Sequence, residues 1–253
     1  MNSSITKIKY QNEFSNIHYE KMRNFHNRNQ KAKKIVIILS DYLKYNTASM
    51  EVLDIGSSTG FVTRELSKYF YKITGIDIDK KAIKYAKKNN NANNVKYVIQ
   101  DCHKLKFKNN SFDIVICSHI YEHVFNPQKM MDEIYRVLKK GGVCYFAAGN
   151  KLRLIEGHYS VPLLSIMPKC LSDFIVKKFF KQEYFENHLF CWQLKKLVRK
   201  FKVIDYTKII IAQPEKYYAS EMIKRGTVKQ EITIKLMDIL YFMIPTYIWL
   251  LKK

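Results

Sequence analysis

From residue 50 onward the chain alternates short apolar, β-branched runs with stretches of helical spacing, and this alternation limits the fold more than any other feature. The runs MEVLDI (50–55), KITGID (72–77), VKYVIQ (95–100), FDIVIC (112–117), VCYFAA (143–148), KVIDYT (202–207) and TYIWLL (246–251) read as strands. Several are apolar on both faces, as strands covered by helices must be. Between them lie VTRELSKYF, KKAIKYAKKN and PQKMMDEIYRVLKK. In the last, Pro127 suits the first helical turn, Met130, Met131, Ile134, Val137 and Leu138 recur at helical spacing, and Gly141 with Gly142 is expected to end the helix. KAKKIVIILSDYL (31–43) predicts a further helix ahead of the first strand. The repetition predicts an α/β fold with a mostly parallel, doubly wound sheet.

A length of 253 residues and a 47% hydrophobic content suit one domain with a real core, and 8 glycines with 5 prolines leave little material for a flexible linker. We read residues 1–48 as an N-terminal helical segment, 49–148 as the ligand-binding core, 149–190 as an insertion and 191–253 as completion of the sheet. The insertion, about forty residues with two prolines, is too long for an ordinary connection and reads as a cap over the site.

The formal charge of +22 invites an anionic partner, whether nucleic acid, lipid or a phosphorylated substrate. The lysines are nevertheless scattered over helical stretches with aliphatic residues between them, as on solvated helix faces. Five cysteines without C-x-x-C spacing fit reduced thiols in the cytoplasm. The N-terminus lacks the apolar region of a secretory signal. The longest apolar stretch, ILYFMIPTYIWLL (239–251), is shorter than the roughly 18–20 residues of a membrane span and is interrupted by Pro245. KQEITIKLMDILYFMI puts Ile232, Leu236, Ile239, Leu240 and Met243 on one helical face. Such a face is ordinarily core, and among so many lysines its alternative is peripheral contact with an anionic membrane.

In EVLDIGSSTGFVTRELSKYF (51–70) the first strand ends at Asp54, passes through Gly56, Ser57, Ser58, Thr59 and Gly60, and turns into a helix. In open α/β sheets ligands bind beyond the carboxyl ends of strands where the strand order reverses. Gly56 permits a tight turn there, and Gly60 removes a side chain where the helix start crowds the strand. The spacing D-x-G-x-x-x-G is neither the dinucleotide fingerprint nor the phosphate-binding P-loop. Asp77 ends the next strand, where a carboxylate can accept hydrogen bonds from both ribose hydroxyls, and Asp101 follows the third, where it could meet an exocyclic amine of adenine. Three acids at three consecutive strand ends imply a nucleoside.

The stretches VLDIGSSTG, GIDIDKKAIKYAKKN, VKYVIQDCHKLKFKNNSFDIVICSHIYEHV and RVLKKGGVCYFAA together resemble successive motifs of the class I S-adenosylmethionine-dependent methyltransferases of small-molecule type. The resemblance spans about 50–148. It implies a Rossmann-like sheet of strand order 3-2-1-4-5-7-6 with an antiparallel seventh strand, and S-adenosylmethionine as cofactor, leaving S-adenosylhomocysteine. It further implies that Gly56 and Gly60 pass under the methionine part, with Ser58 between them also at the cofactor, that Asp54 helps hold its amino group, and that Asp77 binds the ribose. Ile78 would pack on adenine, Asp101 and Cys102 would meet its polar edge, and Ser118 and His119 would line the sulfonium side. The family usually has glycine where this chain has Ser58, and a serine there costs energy if φ is positive.

SHIYEHV supplies candidate bases, of which His119 is expected nearest the cofactor, and His158 in the insertion is a second catalytic candidate. HIYEH also spells H-x-x-E-H, a zinc arrangement for which no distant third ligand is evident, so no metal is expected. The expected reaction is methyl transfer to O, N or C of a small or lipid-linked acceptor. RNA or DNA methylation is the weaker alternative, because CSHI after the fourth strand matches neither nucleic-acid motif. A peripheral membrane protein that keeps the fold without turnover is the third reading, and no stable protein partner is evident.

Overall fold

The computed structural model describes residues 25–44, 47–155, 159–182 and 184–253. Along the chain these form α1 (Phe25–Leu43), β1 (Glu51–Ile55), α2 (Phe61–Leu66), β2 (Lys72–Asp77), α3 (Lys80–Asn89), β3 (Val95–Ile99), β4 (Phe112–Ser118), α4 (Pro127–Val137) and β5 (Leu138–Gly149). There follow α5 (Lys169–Phe180), α6 (Cys191–Leu197), β6 (Lys202–Asp205), α7 (Tyr206–Ala212), α8 (Val228–Leu240), a 3-10 turn (Tyr241–Met243) and β7 (Thr246–Lys252). The strands join in one sheet of order β3-β2-β1-β4-β5-β7-β6. The first five pair in parallel and β7 runs antiparallel to both β5 and β6. The order reverses between β1 and β4, which places the ligand crevice beyond Ile55 and Ser118.

Period-two alternation explains why these strands read as apolar throughout. Leu53, Ile55, Val115, Cys117, Phe146 and Trp249 point to one layer with α4 and α6, whereas Val52, Ile73, Ile114, Ile116, Tyr145 and Leu250 point to the other with α1, α2 and α7. Each large side chain so buried contributes about 2 kcal/mol, so both layers are needed to hold the sheet. On the second layer Asp41 of α1 accepts hydrogen bonds from Tyr206 (3.1 Å), Tyr217 (3.0 Å) and Lys216 (2.7 Å). That contact fixes the helix whose opposite end reaches the crevice.

Four elements differ from the expectations. The helix starting at Pro127 stops at Val137, before Gly141 and Gly142, because Leu138 is buried and pairs with Phe112. Its last carbonyls are taken by Asn110 N (3.0 Å, to Arg136) and Ser111 N (2.8 Å, to Val137), so no glycine cap is required. The glycines instead lie in the irregular start of β5, where a Cβ on Gly142 would meet the Asp113 and Lys139 carbonyls at 2.9 Å. Helix α2 ends at Leu66 rather than running to Phe70, since Asn94 donates to the Ser67 (2.8 Å) and Phe70 (3.0 Å) carbonyls and holds the turn. KVIDYT splits after Asp205, whose side chain accepts from Thr207 N at 2.8 Å and starts α7. Helix α1 begins at Phe25, a turn and a half before the expected Lys31.

The face of α8 expected as core turns outward. Gln230 and Met237 are the buried residues of this helix, and Ile232, Leu236, Ile239, Leu240 and Met243 are exposed. Among the described residues no helix is long and apolar enough to cross a membrane.

Candidate cofactor and acceptor site

The crevice holds a cavity of about 370 Å³, within the usual range for small-molecule sites. Its floor is the turn after β1. Gly56 (φ +72°) and Ser57 both donate to the Ile76 carbonyl, at 2.9 and 3.0 Å, which folds the turn back over β2. Ser58 then takes φ +49° and donates its N–H to Asp77 Oδ2 at 2.8 Å. A left-handed serine costs about 1 kcal/mol or more, so the departure from glycine is a real strain at the floor of the site. Gly60 (φ +78°) lies off the cavity wall. A Cβ there would strike Tyr97 Oη at 2.6 Å and Ala86 at 2.7 Å, so this glycine serves helix packing.

The nucleoside side is built on strand ends. Asp77 lines the cavity and accepts from Asp79 N (2.9 Å) as well as from Ser58 N, which leaves lone pairs on both oxygens. Burial pushes its carboxyl up to about 6, against the pull of those two N–H groups. Ile78, Asp101 and Cys102 line the same wall. Asp101 is exposed and accepts from His103 N at 2.8 Å, with the His103 ring 2.6 Å away. Burial raises the Cys102 thiol, keeping it protonated. Asp54 is the exception. Strand alternation turns its side chain to the α1–α2 layer, where Thr63 donates to it at 2.6 Å, and it does not line the cavity. Burial raises its carboxyl to about 6.

Two cations missed by sequence reasoning stand in front of it. Arg28 and Lys31, on the early turns of α1, line the cavity, and burial beside Arg28 lowers the Lys31 ammonium to about 8. Their signal was the basic spacing within HNRNQKAKK, which resembled the solvated faces elsewhere.

The other side gathers around Glu122. Its Oε1 accepts the Gly149 N–H at 2.7 Å and lies 3.3 Å from His119 Nδ1, and the side chain is buried. Burial opposes its charge, yet the hydrogen bond to His119 and the nearby rings of His123 and His188 hold its carboxyl down at about 2. His123 Nδ1 lies 2.8 Å from Glu186 Oε2. Ser118, His119, Glu122, His123, Glu186 and His188 all line the cavity. Tyr121 donates to the Gly149 carbonyl and accepts from Leu189 N (3.1 Å), and Asn187 N donates to the Glu122 carbonyl at 2.9 Å. These bonds sew the end of the 149–190 insertion to the loop after β4. Glu186 and His188 were invisible in the sequence because a polar pair in a forty-residue connection carries no period or motif.

His119 takes φ +58°, a strained conformation held by its N–H bond to Ala147 O (2.8 Å). His158 lies outside the described residues. Among the described residues, the side chains gathered closely enough to hold a cation are Asp101, Cys102 and His103, rather than those of HIYEH.

A reversed strand order, a glycine turn under the crevice and an acid at the end of β2 define a doubly wound domain with a cavity at its switch point. Residues 53–146 match the family described as "Methyltransferase domain", and the strand order is the one that the resemblance to the class I S-adenosylmethionine-dependent methyltransferases implies. It is 31% identical over 130 residues to the ubiquinone biosynthesis O-methyltransferase of Coxiella burnetii, covering 49% of this chain and 55% of that protein. The chain thus spans about half the length of the curated relatives it matches. Among solved structures, the YcgJ protein of Bacillus subtilis superposes with a TM-score of 0.53 at 16% identity over 88% of this chain and 98% of that one. The Haemonchus contortus phosphoethanolamine N-methyltransferase 2, solved with S-adenosylhomocysteine, gives a TM-score of 0.52 at 18% identity over 87% of this chain and 52% of that one.

Proposed function

We propose that this chain binds S-adenosylmethionine and transfers its methyl group to an O, N or C atom of a small or lipid-linked acceptor. The observation that carries the reading is one cavity with two unlike ends, Asp77, Ile78 and Asp101 at one and His119, Glu122, His123 and His188 at the other. The residues suit the cofactor. Asp77 keeps lone pairs for ribose hydroxyls, Arg28 and Lys31 offer positive charge to a carboxylate, and Gly56 presents bare backbone to the cavity. The bound cofactor supplies an electrophilic methyl carbon whose leaving group is a neutral thioether.

The chain's part is alignment and proton handling. Strand ends hold the nucleoside, so the acceptor needs only to be held in line with the methyl group. His119, braced against Glu122, is placed to take the proton that an acceptor hydroxyl or amine gives up. The Glu122 carboxylate, 3.3 Å from His119 Nδ1, holds the ring in place. The relative named as a ubiquinone biosynthesis O-methyltransferase supports a small organic acceptor.

Calorimetric titration tests the reading. S-adenosylmethionine binds the wild-type chain, and Asp77→Ala weakens it by roughly 100-fold, the effect of two lost charge-assisted hydrogen bonds. Equal affinities for the two proteins, or no heat with either, would overturn it.

A further inference from the structure

The helix α8 carries its apolar residues on the wrong side for a soluble monomer. Gln230 and Met237, two turns apart, seat it on the protein, and Gln230 Nε2 donates to the Ile211 carbonyl at 2.8 Å. Val228, Ile232, Leu236, Ile239 and Met243 follow at steps of three and four on the opposite face, with Leu240 beside them. Ile232 is 51% exposed and Ile239 72%. A continuous stripe of this kind is not the scattered apolar exposure of an ordinary surface.

The charges beside it select an occupant. Lys229 and Lys235 lie on the same helix, the exposed Lys224 and Arg225 just precede it, and of the acids Glu231 and Asp238 the second is engaged by Lys208. Two copies of a chain of net charge +22 would bring like charges together along such a stripe, whereas an anionic surface would complement them. Thirteen residues make ~20 Å of helix, too short for the ~30 Å hydrocarbon layer, so the helix must lie in the plane of the surface.

Its position relative to the cavity is fixed by one residue. Asn150 follows Gly149, the residue held by Glu122, and its Nδ2 donates to the Phe242 (2.7 Å) and Ile244 (2.9 Å) carbonyls just past α8. The exposed Phe242 and Met243 therefore stand at the base of the insertion that walls the acceptor end. The insertion adds exposed Leu154, Ile155 and Phe174, with Lys178 5.6 Å from the Phe174 ring centre.

We infer that the outward face of α8, continued by Phe242 and Met243, docks on an anionic lipid bilayer and holds the acceptor end of the cavity next to it. The docking itself stands apart from the proposed methyl transfer, and the role given to the acceptor end rests on it. The test is co-sedimentation of the full chain with vesicles of phosphatidylcholine alone or mixed with phosphatidylglycerol. The chain is expected on the mixed vesicles, less so as salt rises, and not on phosphatidylcholine. The double variant Ile232→Glu with Ile239→Glu is expected to partition at least ~10-fold more weakly, with an unchanged melting midpoint and unchanged titration by S-adenosylmethionine. No binding to mixed vesicles, or equal binding by the variant, overturns the inference. So does a wild-type dimer in sedimentation velocity that the variant dissociates, since a second copy would then cover the stripe.

Discussion

The two ends of the cavity are built on different principles. The nucleoside end rests on the termini of β1, β2 and β3, so its polar groups are set by strand pairing and by a turn bonded twice to the Ile76 carbonyl. The acceptor end rests on a loop after β4 and on a returning insertion, joined by Glu122, Tyr121 and the backbone bonds they organise. The first end is fixed by the sheet; the second depends on a few buried polar contacts. A site made this way can keep its cofactor while its acceptor changes.

The largest effect that separates the two ends should come from Glu122→Ala. It strips the buried Gly149 N–H of its acceptor and the histidines of their counter-charge, at a cost of about 3 kcal/mol in urea unfolding. A loss as small as that of an exposed site such as Asp101→Ala would break the comparison.

The pH dependence sharpens it next. Burial raises Asp54 and Asp77 to about 6, so each holds a proton more tightly folded than unfolded. The stabilisation this gives is complete below the unfolded value of about 4 and is lost as pH rises through about 6. Glu122 has the opposite sign, with a contribution present above about pH 4.3 and lost as pH falls toward 2. The melting midpoint of the ligand-free protein should therefore rise between about pH 7.5 and about pH 5, and Asp77→Asn should remove part of that rise.

A smaller gain is expected at the floor. Ser58→Gly relieves the positive φ and should stabilise the fold by about 1 kcal/mol in the same urea assay while leaving the Asp77 contact in place. The smallest effect is at the far end. Glu186→Gln keeps the cofactor dissociation constant within about twofold of wild type and shifts the pH profile of turnover, because Glu186 touches His123 and not the nucleoside wall.

The same division explains what could be read from the residues alone. The strands were legible because both layers press on them, which makes apolar runs such as FDIVIC, and the seven-strand order followed from the resemblance over 50–148. Asp77, Ile78, Asp101, Cys102, Ser118 and His119 line the cavity because each sits at or just beyond a strand end, a position counted along the chain. Asp54 does not, since a strand end gives a place but not the direction of a side chain, and Gly60 does not, since its close neighbours are Tyr97 and Ala86. Arg28, Lys31, Glu186 and His188 come from a helix start and a loop, where no period distinguishes an inward charge from an outward one. The outward stripe of α8 has the spacing of a core face, and only the seat made by Gln230 and Met237 shows which way it turns.

The reversed direction of β7 has a structural consequence of its own. In a purely parallel sheet, every segment between strands must carry the chain from the ligand-bearing edge back to the opposite one. Because β7 starts beside Gly149, the span between β6 and β7 is relieved of part of that duty and delivers its final turn to the reactive rim. Within this span Lys216 and Tyr217 hold α1, whereas the outward face of α8 is open to changes of chemistry that alter what reaches the rim while the ends of β1, β2 and β3 stay as they are.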